Sequence, residues 1–193
     1  RTESAQRAAA GAYASYFKYF SETPQAIEMR FFQAELLYDM QRWADSAKLY
    51  LWVVDRDPKG PYYDKALVAS ILALEKDLPS EAEIDAKRGK SIEELPLDPP
   101  VARFEVAALK FMKEAPKSEK TPDVKRRLAV LYYQYNQFDK ASALFEEIIR
   151  DNPKSENAEI AGNLLLDIYK LKSDMVGFAD KGTQLLANPA IAA

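Results

Sequence analysis

One stretch, FDKASALFEEII, repeats apolar side chains with the period of a helix. Phe138, Ala141, Leu144, Phe145 and Ile148 recur at steps of three and four residues, and acidic, basic and small polar residues occupy most positions between them. This spacing gathers the apolar side chains on one face of a helix. The pattern predicts an amphipathic helix that starts near Phe138 and packs that face against a neighbouring element.

A near copy of this helix occurs earlier in the chain. Both copies carry an aromatic residue, a small residue three positions later, a second aromatic residue four positions after that, and a closing proline. A small residue lets two helices approach closely, while aromatic residues fill the space between successive pairs. The matching positions are Trp43, Ser46, Tyr50 and Pro58 in the first copy and Phe138, Ala141, Phe145 and Pro153 in the second.

Prolines mark the ends of the predicted repeats, because proline cannot continue a helix. They stand at Pro24, Pro58, Pro116, Pro153 and Pro189, at intervals of 34, 58, 37 and 36 residues. An interval of 34 residues is the period of the tetratricopeptide repeat, a helix–turn–helix unit. The interval of 58 residues predicts one repeat that carries an insertion.

The first helix of one repeat strengthens this resemblance. Leu128, Ala129 and Tyr132 stand where the tetratricopeptide repeat (TPR) family has a leucine, a small residue and a tyrosine. The chain therefore resembles the TPR family, which implies an all-α fold, a right-handed helical-repeat solenoid of helix–turn–helix units. The units of 36 to 37 residues are also similar to the repeats of bacterial envelope proteins, such as outer-membrane assembly lipoproteins and periplasmic cell-division coordinators. That similarity implies a periplasmic or outer-membrane-associated location; a cytoplasmic location is the alternative.

The repeat spacing predicts one TPR-like solenoid over residues 1–193. The first segment looks like the second helix of a repeat whose first helix lies upstream of Arg1. In the last repeat, Lys181 stands where an aromatic residue is expected. The predicted parts are 2–24 (second helix of a truncated repeat), 25–60 (repeat), 61–116 (repeat with an insertion at about 79–97), 121–155 (repeat) and 156–189 (terminal repeat).

The insertion is polar at first and then flanked by prolines. Its segment SEAEIDAKRGK has Ser80 followed three residues later by Glu83, the spacing of a helix capping box. We therefore expect a short helix after Ser80. Insertions in repeat proteins form loops on one face and sometimes bind partners. A solvated linker and a binding loop are both consistent with this sequence.

Composition narrows the range of chemistry. The net charge of −3 argues against nucleic-acid binding, which needs a concentrated positive surface. Cysteine and histidine are absent from the sequence, which removes thiol nucleophiles, the commonest general base and the usual zinc ligands. The segment RGKS lacks the first glycine of a phosphate-binding loop, since Ile84 stands there, and DRDPKG lacks the closing glutamate of a calcium loop, since Ala66 stands there. We expect no catalytic residue, cofactor or metal site, and no membrane insertion.

The resemblance implies a scaffold that binds another protein or peptide. In the TPR family the first helices line a concave groove in which peptides lie. An alternative is a regulatory or substrate-presenting module of an enzyme whose catalytic domain lies outside this sequence. Self-association through the aromatic first helix, AQRAAAGAYASYFKYF, is a further possibility. By position, the groove would contain Phe31, Glu35, Tyr38, Asp39, Arg126, Val130, Tyr133, Gln134, Tyr169 and Lys170.

Overall fold

The computed structural model describes residues 3–187, and this part of the chain is helical, without strands. It confirms the predicted all-α fold of TPR-like helix–turn–helix units. The helices are α1 (Glu3–Phe20), α2 (Ala26–Asp39), α3 (Trp43–Arg56), α4 (Tyr63–Lys76), α5 (Glu81–Arg88), α6 (Pro99–Glu114), α7 (Thr121–Gln134), α8 (Phe138–Asp151), α9 (Glu156–Leu171) and α10 (Met175–Ala187).

The helices form two compact units, Arg1–Leu78 and Pro79–Ala193. In unit 1, helices α1 to α4 each pack on the next one along the chain. In unit 2, helices α6 to α10 do the same, α7 also contacts α9, and the short helix α5 lies against α7. The two helices predicted for the repeat at 61–116 fall into different units, so a single solenoid over the whole chain stays a prediction.

Three turns within helix pairs share one backbone geometry. Gln41, Asn136 and Ser173 each have a positive φ of 55° to 58°. In each turn this residue donates its N–H to the carbonyl three residues earlier, and the next residue donates to the carbonyl five residues earlier. This is the hydrogen-bond pattern of a Schellman motif, which satisfies the last carbonyls of a helix. The following helix begins two residues after the left-handed residue each time. The repeat therefore recurs in backbone conformation and hydrogen bonding as well as in sequence.

Small and aromatic residues pack as the sequence pattern predicts. Ser46 is fully buried, and its hydroxyl donates to the carbonyl oxygen of Ala34 across the α2–α3 pair at 2.8 Å. Tyr50, Ala141 and Phe145 are buried as well. Close approach of two helices at a small residue leaves no room for a larger side chain. The predicted packing of these positions is confirmed, as is the core position of Tyr132.

The turns also set the register of the last repeat. Counting from the left-handed residue, Gly182 of α10 occupies the position that Phe145 holds in α8, seven residues after the start of its helix. The sequence analysis counted back from Pro189, which lies outside the described residues, and so placed Lys181 there. That assignment is wrong by one residue, because the distance from turn to proline is not constant between repeats. An aromatic residue is nevertheless missing at this position.

The insertion begins with the predicted helix. The Ser80 hydroxyl accepts the N–H of Glu83 at 3.3 Å, and the Glu83 carboxylate accepts the N–H of Ser80 at 2.8 Å. This reciprocal pair is a capping box, so the expected helix start is confirmed. The hydrogen bond from Ser80 lowers the pKa of Glu83. Ile84 is 2% exposed, which means that α5 buries an apolar anchor.

The remainder of the insertion is bound to the turn between α7 and α8. The Asn136 amide donates to the carbonyls of Ser91 and Glu93, each at 2.9 Å, and the Gln137 amide donates to that of Leu95 at 3.0 Å. The N–H of Leu95 donates in turn to the carbonyl of Tyr135 at 2.9 Å. Residues 89–94 are exposed, as expected for a solvated linker, but hydrogen bonds hold the segment against the turn. Main-chain groups of the insertion are fixed by one turn.

Candidate binding surface

The exposed side of α7 carries three of the predicted groove residues in one row. Arg126, Val130 and Tyr133 are spaced by four and three residues, so they lie on one face of the helix. All three side chains are half-buried. Their backs rest on the packed core, where Leu128 and Ala129 are fully buried. A half-buried row of this kind offers apolar contact area and a fixed cation together.

Arg126 has no partner within the described part of the chain. Its Nε is buried and makes no hydrogen bond, and the guanidinium forms no ion pair with any residue between 3 and 187. A buried donor without an acceptor carries a desolvation cost of about 1–3 kcal/mol. An external carboxylate can instead pair with the Nη groups of this guanidinium, which are not among the buried unpaired atoms, because guanidinium and carboxylate match in bidentate geometry.

Tyr133 is tied to the neighbouring first helix. Its hydroxyl donates to Oδ2 of Asp167 in α9 at 2.5 Å, and its ring lies 6.1 Å from that of Phe138. Burial and the hydrogen bond to Asp167 raise the pKa of Tyr133 to about 12, while the charges of Arg88 and Asp85 act on the same hydroxyl with opposite signs. The phenol is therefore neutral at physiological pH and its ring is held in place.

Gln134 does not belong to an open surface. It is buried, and its side-chain amide donates to Oε1 of Glu81 in α5 at 3.2 Å. The side-chain oxygen of Gln134, Oε1, has no hydrogen-bond partner among the described residues. Helix α5 covers this end of α7. Gln134 therefore positions the insertion, and a partner does not reach it in this structure.

The two predicted residues on α9 behave differently from each other. Lys170 is exposed, and it has no ion pair among residues 3–187. The turn register places Lys170 at the position of Tyr133, and Tyr169 at that of Tyr132. Tyr169 packs towards α10, since a Cβ added at Gly177 would come within 2.7 Å of its ring. Lys170 thus holds on α9 the position that Tyr133 holds on α7, while Tyr169 takes part in helix packing.

In unit 1, the corresponding face of α2 is aromatic and acidic. Phe31 is buried beneath Tyr62, at 4.8 Å between ring centroids, and Tyr50, at 5.6 Å. Its neighbour Phe32 is 41% exposed and stands edge-on to Tyr62 at 6.0 Å. The exposed aromatic residue on this helix is therefore Phe32, one position after the predicted Phe31.

The other three predicted residues of α2 remain accessible to different degrees. Glu35 is exposed and accepts a hydrogen bond from the Tyr50 hydroxyl. Burial, followed by this bond, raises the pKa of Tyr50. Tyr38 is half-buried, with its ring edge-on to Trp43 at 4.9 Å. Asp39 is exposed at the end of the helix.

Two contributors to the α7 surface escaped the sequence analysis. Asp167 orients Tyr133 across 34 residues of sequence, which is one repeat length. Arg88 comes from the insertion, whose docking site no local pattern marks. The one available signal was the dipeptide Asn136–Gln137, because two carboxamides stand where the other turns have Gln41–Arg42 and Ser173–Asp174.

Among residues 3–187, no group of three or more acidic, cysteine or histidine side chains is arranged to hold a metal ion. None of the helices described is both long and apolar enough to cross a membrane. What the α7 row offers chemically is a cation, an aromatic ring and an aliphatic contact in fixed positions. These are elements of recognition.

Tyr19 and Phe20 are the exposed aromatic residues of α1, at 70% and 51% exposure. They lie on the helix that the sequence analysis linked to self-association, which stays a prediction. Within unit 1 they contact each other at 6.5 Å between ring centroids.

No family model matches the sequence, and no curated protein matches it either. Among solved structures, the chain is similar to the nearly identical TPR-like repeats of a putative kinesin light chain from Podosopora anserina. That match has a TM-score of 0.47 and 13% identity, and it covers 96% of this chain and 85% of the other. It is also similar to BtubC (BKLC) from P. vanneervenii, with a TM-score of 0.45, 16% identity and coverage of 98% and 74%. The matching turns and the packing of small and aromatic residues make the fold TPR-like.

Proposed function

We propose that the protein is a non-catalytic interaction scaffold that binds an extended peptide segment of another protein on the α7–α9 face of unit 2. The observation that carries this proposal is Arg126, a half-buried guanidinium without a partner among the described residues, in line with Val130 and Tyr133. Rigid aromatic and aliphatic groups supply contact area, and a desolvated charge sets the register of a bound chain.

Helix packing supports a rigid surface. The core beneath the row is closed, and the hydrogen bond from Tyr133 to Asp167 joins α7 to α9. A site that is already rigid loses little conformational entropy when a ligand binds. When a flexible peptide binds to this surface, the conformational entropy that is lost is therefore that of the peptide.

A random-sequence displayed peptide library, selected on the immobilised protein, tests this proposal. Peptides enriched on the wild type are synthesised with a fluorescent label, and their affinities are measured by fluorescence polarisation. We expect Arg126→Glu to weaken binding by at least about tenfold, since it replaces an attraction by a repulsion. Tyr133→Ala should weaken it as well.

Lys154→Glu is the matched control. Lys154 is exposed in the turn before α9, makes no ion pair within residues 3–187, and lies off the α7 row. This variant has the same change of charge and should bind like the wild type. Equal binding by wild type and Arg126→Glu, or the absence of any enriched peptide, would overturn the proposal. Circular dichroism establishes that each variant is folded.

A further inference from the structure

Helix α10 presents an uncharged and largely exposed face. It packs on α9, yet none of its residues is buried. Met175, Val176 and Leu186 are 61%, 74% and 75% exposed. At about 100° of rotation per residue, these side chains and three small ones fall within an arc of about 120°. This outer arc consists of Met175, Val176, Ala179, Gly182, Thr183 and Leu186.

The same positions are covered in α3. Counted from the left-handed residues Gln41 and Ser173, each residue of the outer arc has an equivalent in α3 that is buried or half-buried. Helix α3 contacts both α2 and α4, whereas α10 lacks a second such neighbour among the helices described. The equivalents are Trp43, Ala44, Ala47, Tyr50, Leu51 and Val54. The fold therefore places a helix against this side of α3, and it leaves the side open in α10.

The outer arc lacks the features by which one repeat of unit 2 contacts the next. Two carboxylates of α8, Asp139 and Glu146, each pair with a lysine of the following repeat at 2.8 Å. Val176 and Thr183 hold these positions in α10. Gly182 stands where α8 has a fully buried aromatic side chain, which fills the space between helix pairs. The arc thus suits a helix other than that of a similar repeat.

We infer that the outer arc is a contact between two copies of this chain, in which two α10 helices cross antiparallel about a two-fold axis. A contact of this symmetry must be complementary to itself. Met175 and Val176 of one copy would lie opposite Leu186 of the other. Small side chains at the crossing allow two helices to approach closely. The middle of the arc supplies them: Ala179, Gly182 and Thr183.

The charges of α10 lie outside this contact. The helix contains two charged residues, Asp180 and Lys181. Lys181 points away from the arc and pairs with Glu146 of α8. Asp180 is exposed and lies about 40° outside the arc, where water screens its repulsion of the same residue in the other copy. On its other edge the arc borders the apolar side chain of Leu166 in α9.

The size of the arc predicts a weak dimer. Helix α10 has 13 residues and is therefore about 20 Å long. Two such helices bury far less than the roughly 1,600 Å² of a standard stable interface. We expect monomer and dimer to exchange, with a dissociation constant of about 10–500 µM.

Sedimentation equilibrium of the whole chain, from about 1 µM to about 1 mM, measures this association. Val176→Asp should weaken it at least about tenfold, because the change puts an unpaired charge into an apolar contact. Val106→Asp is the matched control, since Val106 is an exposed valine of α6, and it should associate like the wild type. Both changes are at exposed positions, and circular dichroism establishes that the variants are folded.

A mixture of two variants tests the identity of the partner and its direction. Leu186→Lys alone should weaken association, as Val176→Asp does. The two variants mixed should associate more tightly than either alone, because the antiparallel arrangement brings the new carboxylate opposite the new ammonium group. Sodium chloride should weaken this mixed dimer and leave the wild-type dimer intact, since no ion pair holds the latter together.

A wild type that stays monomeric up to about 1 mM would overturn the inference and leave the arc to a helix of another protein. Association that survives Val176→Asp but is lost with Tyr19→Asp would overturn it too, and would assign self-association to α1. The inference does not depend on the proposed function. Arg126→Glu should associate like the wild type, and Val176→Asp should bind the selected peptides like the wild type.

Discussion

The side-chain amide of Asn136 donates a hydrogen bond to the backbone carbonyl oxygen of Ser91 at 2.9 Å. Asn136 also has a φ of 55° and forms the left-handed corner of the α7–α8 turn. Asparagine tolerates this conformation better than most residues. One residue thus closes a helix and anchors the insertion that carries Arg88. The equivalent corners at Gln41 and Ser173 close their helices only.

Replacing Asn136 by glycine separates these two roles. Glycine accepts a positive φ without strain, so the turn keeps its shape while the hydrogen bonds to Ser91 and Glu93 are lost. We expect Asn136→Gly to lower the free energy of unfolding by about 1–3 kcal/mol, since two hydrogen bonds of about 0.5–1.5 kcal/mol each are lost. Trypsin should also cut faster after Lys87, Arg88 and Lys90. Urea denaturation and timed proteolysis measure the two effects.

Gln41→Gly is the control for this prediction. Gln41 has the same turn geometry, but its side chain is exposed. Relief of strain at a positive φ should leave stability unchanged or raise it by up to about 1 kcal/mol. Similar losses in both variants would show that the turn, and not the insertion, depends on Asn136.

The sequence predicted the helix contacts that recur with the spacing of apolar residues along the chain. Small residues at Ser46 and Ala141 and aromatic residues at Tyr50 and Phe145 mark helix contacts within a repeat, and a periodic pattern reports such contacts directly. The capping box at Ser80 is equally local, since its partners are three residues apart.

The contacts that shape the candidate surface are not periodic. The bonds from Asn136 and Gln137 end on main-chain carbonyls, which every residue has, so the sequence of the bound segment does not reveal them. Burial of Phe31 and exposure of Phe32 depend on Tyr62, which lies directly before α4 and is distant in sequence. Which of two adjacent aromatic residues faces the core is a question of tertiary packing.

Phe145 should be a major contributor to the stability of unit 2. Its side chain is 0% exposed, and truncation would leave a cavity that a packed helix pair cannot fill by relaxation. We expect Phe145→Ala to cost about 3–5 kcal/mol in urea denaturation. Phe32→Ala, at a 41% exposed position, should cost much less. A loss below about 1 kcal/mol for Phe145→Ala would contradict the repeat packing.

Stability should decline at alkaline pH. The pKa of Tyr133 is raised to about 12 by burial and by its bond to Asp167, above the value of about 10 in an unfolded chain. The folded state therefore holds its proton longer, and this contribution to stability is complete below pH 10 and lost progressively between about 10 and 12. Burial, followed by hydrogen bonds to Glu105 and Asp98 respectively, raises the pKa of Tyr132 and Tyr135 in the same direction.

Tyrosinate absorbance and circular dichroism, recorded together during a base titration, measure this effect. Part of the absorbance change should coincide with unfolding above pH 10. Tyr133→Phe should reduce the amplitude of that late step. A single titration near pH 10 with no loss of helix would contradict the burial of these phenols.

The two glycines of α10 should respond to alanine in opposite ways. At Gly177 an added Cβ would lie 2.7 Å from the Tyr169 ring and 2.5 Å from the Asp174 carboxylate, which also caps the N–H of Gly177 at 2.8 Å. At Gly182 the nearest atom would be Leu166 Cδ2 at 3.9 Å, an ordinary contact.

We therefore expect Gly177→Ala to lose about 1–3 kcal/mol, the usual cost of overpacking. Gly182→Ala should gain about 0.5–1 kcal/mol, because alanine favours the helix and no clash opposes it. Thermal and urea denaturation of the two variants, each compared with the wild type, measure the difference. A gain in both variants would show that Tyr169 is free to leave α10, and it would return Tyr169 to the candidate surface.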